Sequence, residues 1–269
     1  MKIIRFLSED GTVQLAGYHQ DDYYVLEGDL YNHTLTSEKA TIQKLLAPLE
    51  PAAILCIGLN YKKHAVESNL PFPQWPVLFV KGNNALQHPN EPIVLPRFLR
   101  SDEVDYECEL AVVIGKRCKN VSPERAMDYV LGYTCANDVS ARDWQLKKGG
   151  GQWCKGKFFD TFAPLGPCIV TTDEIRDPHA LEISTILNGE AVQQGHTQDM
   201  IFDIPALVAF VSAGTTLEPG TVILTGTPQG VGMAANPARW LKPGDEVTIR
   251  ISGIGELTNT VTEEVTLYQ

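Results

Sequence analysis

Two glutamates and an aspartate are the residues best suited to chemistry. Glu107 and Glu109 open an apolar strand-like segment, and the two-residue period of a strand places both side chains on one face. Asp138 follows a second apolar run. An acidic, solvated strand end would explain the two glutamates alone. Three carboxylates at apolar positions instead require a cation. They suit a hard divalent ion, Mg²⁺ or Mn²⁺ with Ca²⁺ as the alternative, so we predict that Glu107, Glu109 and Asp138 are metal ligands.

His64 and Glu67 form a second candidate pair. They lie three residues apart after the apolar segment 54–58, and in a helix this spacing makes them neighbours on one face. A carboxylate beside an imidazole fixes the tautomer of the ring and raises its basicity, as a general base requires. The alternative is a surface ion pair on an amphipathic turn.

Two glycine-containing segments could bind an anionic substrate. Lys155 and Lys157 flank Gly156 in an aromatic-rich stretch, and the segment 226–232 (GTPQGVG) follows an apolar strand. The backbone amides of such a loop can approach a carboxylate or phosphate closely. The loop lacks the lysine that ends a P-loop and the helix that a dinucleotide site requires, so neither of these sites is predicted.

Short strands separated by glycine and proline must position these residues. Residues 1–50 contain strand patterns near 3–7, 12–17 and 23–26 and a predicted helix over 37–46, which together make a small N-terminal α/β cap domain. Residues 51–269 form the predicted catalytic domain. Its successive strands with few long helices favour a mainly β body, a mixed or antiparallel barrel or roll.

Helices and turns have local signals. Ser122-Pro123 predicts a helix over 124–131, and a second helix is expected over 204–212. Asn188-Gly189 between two extended segments predicts a β-hairpin.

Composition excludes several classes of protein. The 269 residues are 43% hydrophobic and 20% charged, which is typical of a globular protein. The apolar runs are too short to span a bilayer, and the net charge of −11 has the wrong sign for binding nucleic acid. Six widely spaced cysteines and an N-terminus without a signal-peptide pattern predict a cytosolic protein with reduced thiols.

An ordered series of motifs resembles the fumarylacetoacetate hydrolase superfamily. The series covers about residues 50 to 265, and the order and spacing of its motifs make a chance match very improbable. The motifs are Gly58-Leu59-Asn60-Tyr61 with His64 and Glu67, Asp105-Tyr106-Glu107 with Glu109, Asn137 to Asp143, Gly150 to Asp160, and Gly226 to Gly232.

The resemblance implies a fold and a set of roles. The fold is a mixed β-sandwich roll, usually in a homodimer, with a divalent ion held by a Glu-x-Glu pair and a later aspartate. His64 and Glu67 become a catalytic dyad on a lid, and Lys157 becomes the active-site lysine. The implied substrate contacts are Arg142, Gln145, Lys81 and Thr227.

This sequence departs from the family pattern in two places. Phe158 stands where a serine is common, and we expect it to alter the pocket. The N-terminal piece of about 50 residues is shorter than the extra domain of fumarylacetoacetate hydrolase itself, which places the chain among the smaller relatives.

The implied substrate is a small 2-oxo acid whose reaction passes through a metal-stabilised enolate. The first hypothesis is a hydrolase that cleaves a carbon–carbon bond in an acylpyruvate or a fumarylacetoacetate-like diketo acid. The alternatives are a decarboxylase of oxaloacetate-like acids, a keto–enol tautomerase, and a non-catalytic metal-stabilised binding protein. Neither nucleic acid nor a membrane is an expected partner.

Overall fold

The computed structural model describes residues 1–266, in which strands dominate. The last three residues of the predicted catalytic domain lie outside this range. Nineteen strands and three α-helices occur in the described part of the chain. The strands are β1 (Lys2–Ser8), β2 (Val13–His19), β3 (Asp22–Gly28), β4 (His33–Lys39), β5 (Ile42–Leu46), β6 (Ala53–Gly58), β7 (Val77–Lys81), β8 (Leu86–Gln87), β9 (Ile93–Leu95), β10 (Val104–Asp105), β11 (Cys108–Ile114), β12 (Val130–Asn137), β13 (Ser140–Ala141), β14 (Ala163–Thr171), β15 (Glu182–Leu187), β16 (Glu190–His196), β17 (Thr221–Leu224), β18 (Glu246–Ile251) and β19 (Gly255–Glu263). The helices are α1 (Lys62–Glu67), α2 (Cys154–Lys157) and α3 (Ile204–Ser212).

The strands form one large sheet and two smaller ones. The large sheet has twelve strands, ten of them in the order β4-β3-β2-β1-β14-β12-β11-β17-β6-β7, while β5 pairs with β1 and β8 with β14. A second sheet has the order β16-β15-β18-β19-β9, and β10 pairs with β13. Most neighbours are antiparallel, but β17 runs parallel to β6, β8 to β14 and β9 to β19. The predicted mainly β, mixed fold is confirmed.

The N-terminal segment extends the large sheet. Its strand β1 pairs with β14 of the main body. The helix predicted over 37–46 is wrong, because residues 37–39 end β4 and residues 42–46 form β5. Both strands contain β-branched side chains, such as Thr34 and Ile42, which favour the extended chain, and their pairing with β3 and β1 decides the outcome. The domain boundary at residue 50 stays a prediction.

The two other predicted helices have different outcomes. The segment 204–212 is α3 as predicted; the carboxylate of Asp203 caps it by accepting a hydrogen bond from the backbone N–H of Ala206 at 2.8 Å. The segment predicted as a helix over 124–131 is instead a 3₁₀-helix, Pro123–Tyr129, and the chain enters β12 at Val130. No helix in the described residues is long and apolar enough to cross a membrane.

The predicted hairpin is confirmed. Asn188 and Gly189 have φ angles of 51° and 83° and join β15 to β16. Positive φ at both central residues is the geometry of the two-residue turn that fits the twist of antiparallel strands.

Strand direction brings the chemically interesting segments to the same end of neighbouring strands in the large sheet. β11 is antiparallel to both β12 and β17, and β17 is parallel to β6. β6, β12 and β17 therefore end where β11 begins. The residues that follow β6, β12 and β17 and those that open β11 are the motif residues identified above. Below this end of the strands lies the apolar core, in which β11 and β17 are buried along their whole lengths.

Candidate active site

The three predicted metal ligands meet at this end of the strands, where β11 begins and β12 ends. Glu107 immediately precedes β11, Glu109 lies within it, and Asp138 follows β12. The register pairs Cys108 with Asn137, and the backbone N–H of Asp138 donates to the carbonyl of Glu107 at 2.9 Å. One carboxylate oxygen from each of the three residues lies within 4.8 Å of the others. All three side chains are buried.

The pKa values of Glu107 and Glu109 are shifted in opposite directions. Burial, followed by the charges of Asp138 and Glu107, raises the pKa of Glu109 well above its usual value. Burial acts on Glu107 in the same direction, but the charges of Arg142 and Lys157 outweigh it and hold the pKa of Glu107 below its usual value. Glu109 is thus the carboxylate whose charge the protein leaves least compensated.

Two buried lysines compensate the other two carboxylates. Lys157 Nζ lies 2.6 Å from Glu107 Oε2 and 2.7 Å from Asp138 Oδ2. Burial would lower the pKa of Lys157, but the charges of Asp138 and Glu107 outweigh it and raise that pKa. Lys81 Nζ lies 2.7 Å from Asp138 Oδ1 and donates to the backbone carbonyls of Val139 and Lys157.

Arg142 links the triad to a fourth buried carboxylate. Its Nη2 lies 2.7 Å from Glu107 Oε1 and 2.8 Å from Asp105 Oδ2, its Nε donates to Asp105 at 2.9 Å, and its Nη1 donates to Gln145 Oε1 at 3.0 Å. Asp105 itself is fully buried. Gln145 belongs to one turn of π-helix, Asp143–Lys148, a geometry often found at functional sites.

The glycine-rich loop 226–232 binds the protein's own carboxylates. The backbone N–H of Gly226 donates to Glu109 Oε2 at 2.7 Å, that of Gly230 to Glu67 Oε1 at 2.8 Å, and that of Gly232 to Asp105 Oδ1 at 2.7 Å. Gly226 and Gly230 have φ angles of 101° and 94°, which strain any other residue. The predicted close approach of amides to carboxylates is present, but these amides hold site residues in place.

His64 and Glu67 lie together on α1, as their spacing predicts. His64 Nδ1 is 3.2 Å from Glu67 Oε2. Because an ionised carboxylate only accepts hydrogen bonds, Nδ1 carries the hydrogen and Nε2 is left as the basic nitrogen. Glu67 in turn accepts a hydrogen bond from the N–H of Gly230. The backbone and the carboxylate together therefore fix the orientation of the imidazole.

A cavity of about 250 Å³ collects most of the predicted residues. Its polar lining comes from His64, Ser68, Glu107, Glu109, Asp138, Arg142, Gln145, Lys157 and Thr227. Glu67 and Lys81 do not line it. Lys81 donates hydrogen bonds to two backbone carbonyls and forms an ion pair with Asp138, so its ammonium is surrounded by protein groups. Lys81 therefore contacts Asp138 from outside the cavity lining.

The substitution of Phe158 does not change this cavity. Its side chain is 41% exposed and lines a separate surface depression with Phe159 and Val94. A Cβ added to Gly82 would lie 2.4 Å from its ring. The expectation that Phe158 alters the pocket is therefore wrong, because the ring packs over Gly82 outside the cavity.

Three supporting residues had no predicted role. Asp105 holds Arg142, and Asn60 ties the end of β6 to the neighbouring loops by donating to the carbonyls of Phe202 and Thr225. Gln193 donates to Thr227 Oγ1 at 2.9 Å and accepts from the N–H of Cys108. Asp105 and Asn60 lie inside the quoted motifs, whereas the sequence around Gln193 carries no signal.

The donor set fits a divalent cation. The cavity and the layer directly beneath it hold more buried carboxylates than buried cations: Asp105, Glu107, Glu109 and Asp138 against Lys81, Arg142 and Lys157. A carboxylate has about four acceptor sites, so each member of the triad keeps capacity for a metal bond. Oxygen ligands alone match hard ions such as Mg²⁺ and Mn²⁺.

The sequence matches a known family over most of its length. Residues 53–262 match the family described as fumarylacetoacetate (FAA) hydrolase C-terminal. The chain is 51% identical over 218 residues to "Oxaloacetate tautomerase fahd2, mitochondrial" of Xenopus laevis, which covers 81% of this chain and 68% of that protein. It is 49% identical over 217 residues to "Oxaloacetate tautomerase FAHD2A, mitochondrial" of Homo sapiens, covering 80% of this chain and 68% of that protein.

Solved structures share the whole fold. A 2-hydroxyhepta-2,4-diene-1,7-dioate isomerase from Mycobacterium marinum is 39% identical with a TM-score of 0.84, covering 99% of this chain and 100% of that one. Maleylpyruvate hydrolase from Sphingobium sp. SYK-6, solved with manganese(II) and pyruvate, is 28% identical with a TM-score of 0.76, covering 98% of this chain and 100% of that one.

These comparisons correct one prediction and settle another. The cytosolic location predicted from the N-terminus is contradicted, because relatives about half identical in sequence are named mitochondrial. The resemblance of the motifs is confirmed by the family match and by relatives that are themselves enzymes. The chain belongs to the fumarylacetoacetate hydrolase superfamily and is an enzyme.

Proposed function

We propose that this enzyme is a divalent-metal-dependent keto–enol tautomerase of 2-oxo acids, with oxaloacetate as the first substrate to test. The observation that carries the proposal is the meeting of the buried carboxylate triad and the His64 imidazole in one cavity. Relatives named oxaloacetate tautomerase, and a similar structure named as an isomerase of a hydroxydienedioate, favour proton transfer over bond cleavage.

Glu107, Glu109 and Asp138 would hold the ion, Mg²⁺ or Mn²⁺. A divalent ion in this position supplies Lewis-acid stabilisation of negative charge on the substrate oxygens. Manganese in the structure of maleylpyruvate hydrolase supports this choice of ion class.

The protein's own residues divide the remaining work. His64 moves the proton at the third carbon of the substrate, and Glu67 keeps Nδ1 protonated so that Nε2 acts as acceptor and donor. Arg142, Gln145 and Thr227 line the cavity and bind the substrate's polar end. Lys157 lines it as well, and its ammonium balances the charge of Glu107 and Asp138.

Hydrolysis of an acylpyruvate is the second candidate function. The His64–Glu67 pair has the geometry to deprotonate a water molecule, which a hydrolase needs and decarboxylation does not. The similarity to a maleylpyruvate hydrolase points the same way.

One experiment separates these reactions. Freshly prepared enol-oxaloacetate and acetylpyruvate are each followed by absorbance and proton NMR with Mg²⁺ or with EDTA. Faster enol-to-keto conversion of oxaloacetate that EDTA abolishes would support the tautomerase. Release of acetate and pyruvate from acetylpyruvate, without that acceleration, would replace it with the hydrolase. Pyruvate formed from oxaloacetate would make the enzyme a decarboxylase.

We also propose that the enzyme forms a homodimer. The edge strand β7 exposes Leu78 and Val80, and Trp75 just before it is 72% exposed and stacks on Phe210. Exposed apolar side chains grouped on a strand edge are typical of a surface that a second chain covers. Light scattering after size-exclusion chromatography measures the mass directly, and a mass near 30 kDa would contradict the dimer.

A further inference from the structure

Gln193 on β16 connects two segments that contribute to the cavity. Its side chain is 1% exposed and does not itself line the cavity. At the start of β11, the N–H of Cys108, which lies between the two glutamates of the triad, donates to Gln193 Oε1 at 3.0 Å. In the glycine-rich loop 226–232, Gln193 Nε2 donates to Thr227 Oγ1 at 2.9 Å and to the carbonyl of Pro228 at 3.0 Å. One buried amide therefore joins the strand of the carboxylates to this loop.

The partners of Gln193 determine which way its amide faces. A backbone N–H only donates and a backbone carbonyl only accepts, so Cys108 meets the amide oxygen and Pro228 meets the amide nitrogen. The hydroxyl of Thr185 donates to the same oxygen at 2.7 Å. The second hydrogen of the nitrogen is left for Thr227, whose oxygen must accept it. All four hydrogen-bonding positions of the amide are filled, and its orientation is fixed.

Close backbone packing holds β16 against the loop on both sides of this contact. A Cβ built on Gly195 would lie 2.5 Å from the side chain of Pro228, and a Cβ built on Gly230 would lie 2.4 Å from the carbonyl of Val192. Each glycine thus lets the two segments approach more closely than a larger residue allows. The distance between Gln193 and the loop is therefore set by the backbone as well as by the amide.

The hydroxyl of Thr227 has its hydrogen available for a ligand. A threonine hydroxyl has one hydrogen to donate and two lone pairs with which to accept. Among the hydrogen bonds between residues 1–266, this hydroxyl accepts one, from Gln193, and donates none. Thr227 lines the cavity and is 3% exposed. The matching group of a 2-oxo acid is an ionised carboxylate, which only accepts hydrogen bonds.

We propose that Gln193 is a positioning residue that makes the hydroxyl of Thr227 a hydrogen-bond donor to a carboxylate of the 2-oxo acid. This inference rests on the proposed tautomerase function, because the acceptor belongs to the substrate of that reaction. Gln193 acts only through Thr227 and does not touch the substrate. Removing its amide lets the hydroxyl turn away from the cavity, so that the donor is no longer held in place.

Kinetics on enol-oxaloacetate with Mg²⁺ test the inference in four proteins: the parent, Gln193→Met, Thr227→Val and the double variant. Thr227→Val removes a hydrogen bond to a charged group and should raise KM by about tenfold or more, with kcat nearly unchanged. Gln193→Met should raise KM as well. Because both variants act through one hydrogen, Thr227→Val should change KM at least about threefold less in the Gln193→Met background than in the parent. An equal effect in both backgrounds overturns the inference and leaves the tautomerase standing.

Two controls separate this role from a purely structural one. Gln194→Met makes the same change at the exposed neighbouring position of β16 and should leave KM unchanged. Because Gln193 also contacts the strand of the metal ligands, Mn²⁺ is titrated calorimetrically into Gln193→Met, which should bind the ion as the parent protein does. An Mn²⁺ affinity lowered by the same factor as KM overturns the inference and makes Gln193 a support of the metal ligands. A parent protein that does not accelerate the conversion of enol-oxaloacetate overturns the proposed function and this inference with it.

Discussion

The buried carboxylate of Asp105 forms a salt bridge with the guanidinium of Arg142. Nε and Nη2 of Arg142 lie 2.9 and 2.8 Å from Asp105 Oδ2. The backbone N–H groups of Gly232 and Met233 donate to the same carboxylate at 2.7 and 3.0 Å. Asp105 therefore joins the loop that follows β17 to the arginine that faces the cavity. Two separate elements of the site depend on this single buried anion.

Replacing Asp105 should loosen both elements. Asp105→Asn keeps the shape of the side chain but leaves Arg142 with one buried carboxylate fewer, and breaking a buried ion pair costs about 3–5 kcal/mol. We expect a melting temperature lower by several degrees and a kcat/KM reduced through KM. Thermal unfolding and steady-state kinetics measure the two effects.

A matched control separates burial from loss of charge. Asp102→Asn removes a carboxylate from an exposed pair with Arg100, in which both side chains are more than 60% exposed. Exposed pairs contribute little, so this variant should behave like the parent protein. Equal effects of the two variants would contradict the role of Asp105.

Replacing Glu109 should remove metal binding without harm to the fold. Glu109→Gln keeps the side chain's size and removes a buried charge that Asp138 and Glu107 repel. At a metal concentration of about 100 Kd, binding stabilises a protein by about 2.7 kcal/mol. We expect Mn²⁺ to raise the melting temperature of the parent protein and to leave that of Glu109→Gln unchanged.

Calorimetric titration with Mn²⁺ checks the same point directly. Glu256→Gln, at a 52% exposed position paired with Arg250, serves as control and should bind the ion normally. Normal affinity of Glu109→Gln for Mn²⁺ would show that the ligand assignment is incorrect.

Replacing His64 should affect catalysis and spare metal binding. A positioned general acid or base contributes typically about 10²- to 10⁴-fold, so His64→Asn should lower kcat by about that factor with an unaltered Mn²⁺ titration. Glu67→Gln should give a smaller loss, because it changes the orientation of the imidazole but leaves the ring in place.

The exposed His19 provides a control for the loss of an imidazole. His19→Asn should retain full activity. If His64→Asn retains activity as well, proton transfer belongs to another residue, and Lys157 becomes the first to test.

The sequence was enough to predict the residues whose type and spacing both carry information. Alternation along a strand places Glu107 and Glu109 together, and helical spacing places His64 beside Glu67. Asn188-Gly189 specifies its turn through the positive φ that the turn requires. Each of these features depends on interactions within a few residues, so a local pattern is sufficient.

Features that depend on distant pairing were missed or misjudged. The segment 37–46 forms strands because β1 and β3 lie beside it, which local propensity does not reveal. Gln193 reaches Thr227 across 34 positions of sequence. Lys81 was expected at the substrate; it pairs with Asp138, donates to two backbone carbonyls and does not line the cavity, and its contact with a substrate stays a prediction. In each case the partner is set by the three-dimensional arrangement of strands.

The contact between Gly58 and Trp153 leads to a final prediction. Gly58→Ala places a methyl group 2.3 Å from the present position of the ring, so the indole must move. Because Trp153 lines the cavity, we expect KM to rise by about tenfold or more with a modest fall in melting temperature. The double variant Gly58→Ala/Trp153→Phe has a smaller ring at this position and should recover part of the lost kcat/KM. The parent protein, Gly58→Ala, Trp153→Phe and the double variant form a double-mutant cycle. In such a cycle, contacting residues show coupling of about 0.5–3 kcal/mol. Strictly additive effects would mean that the two residues act independently and that the glycine does not position the aromatic lining.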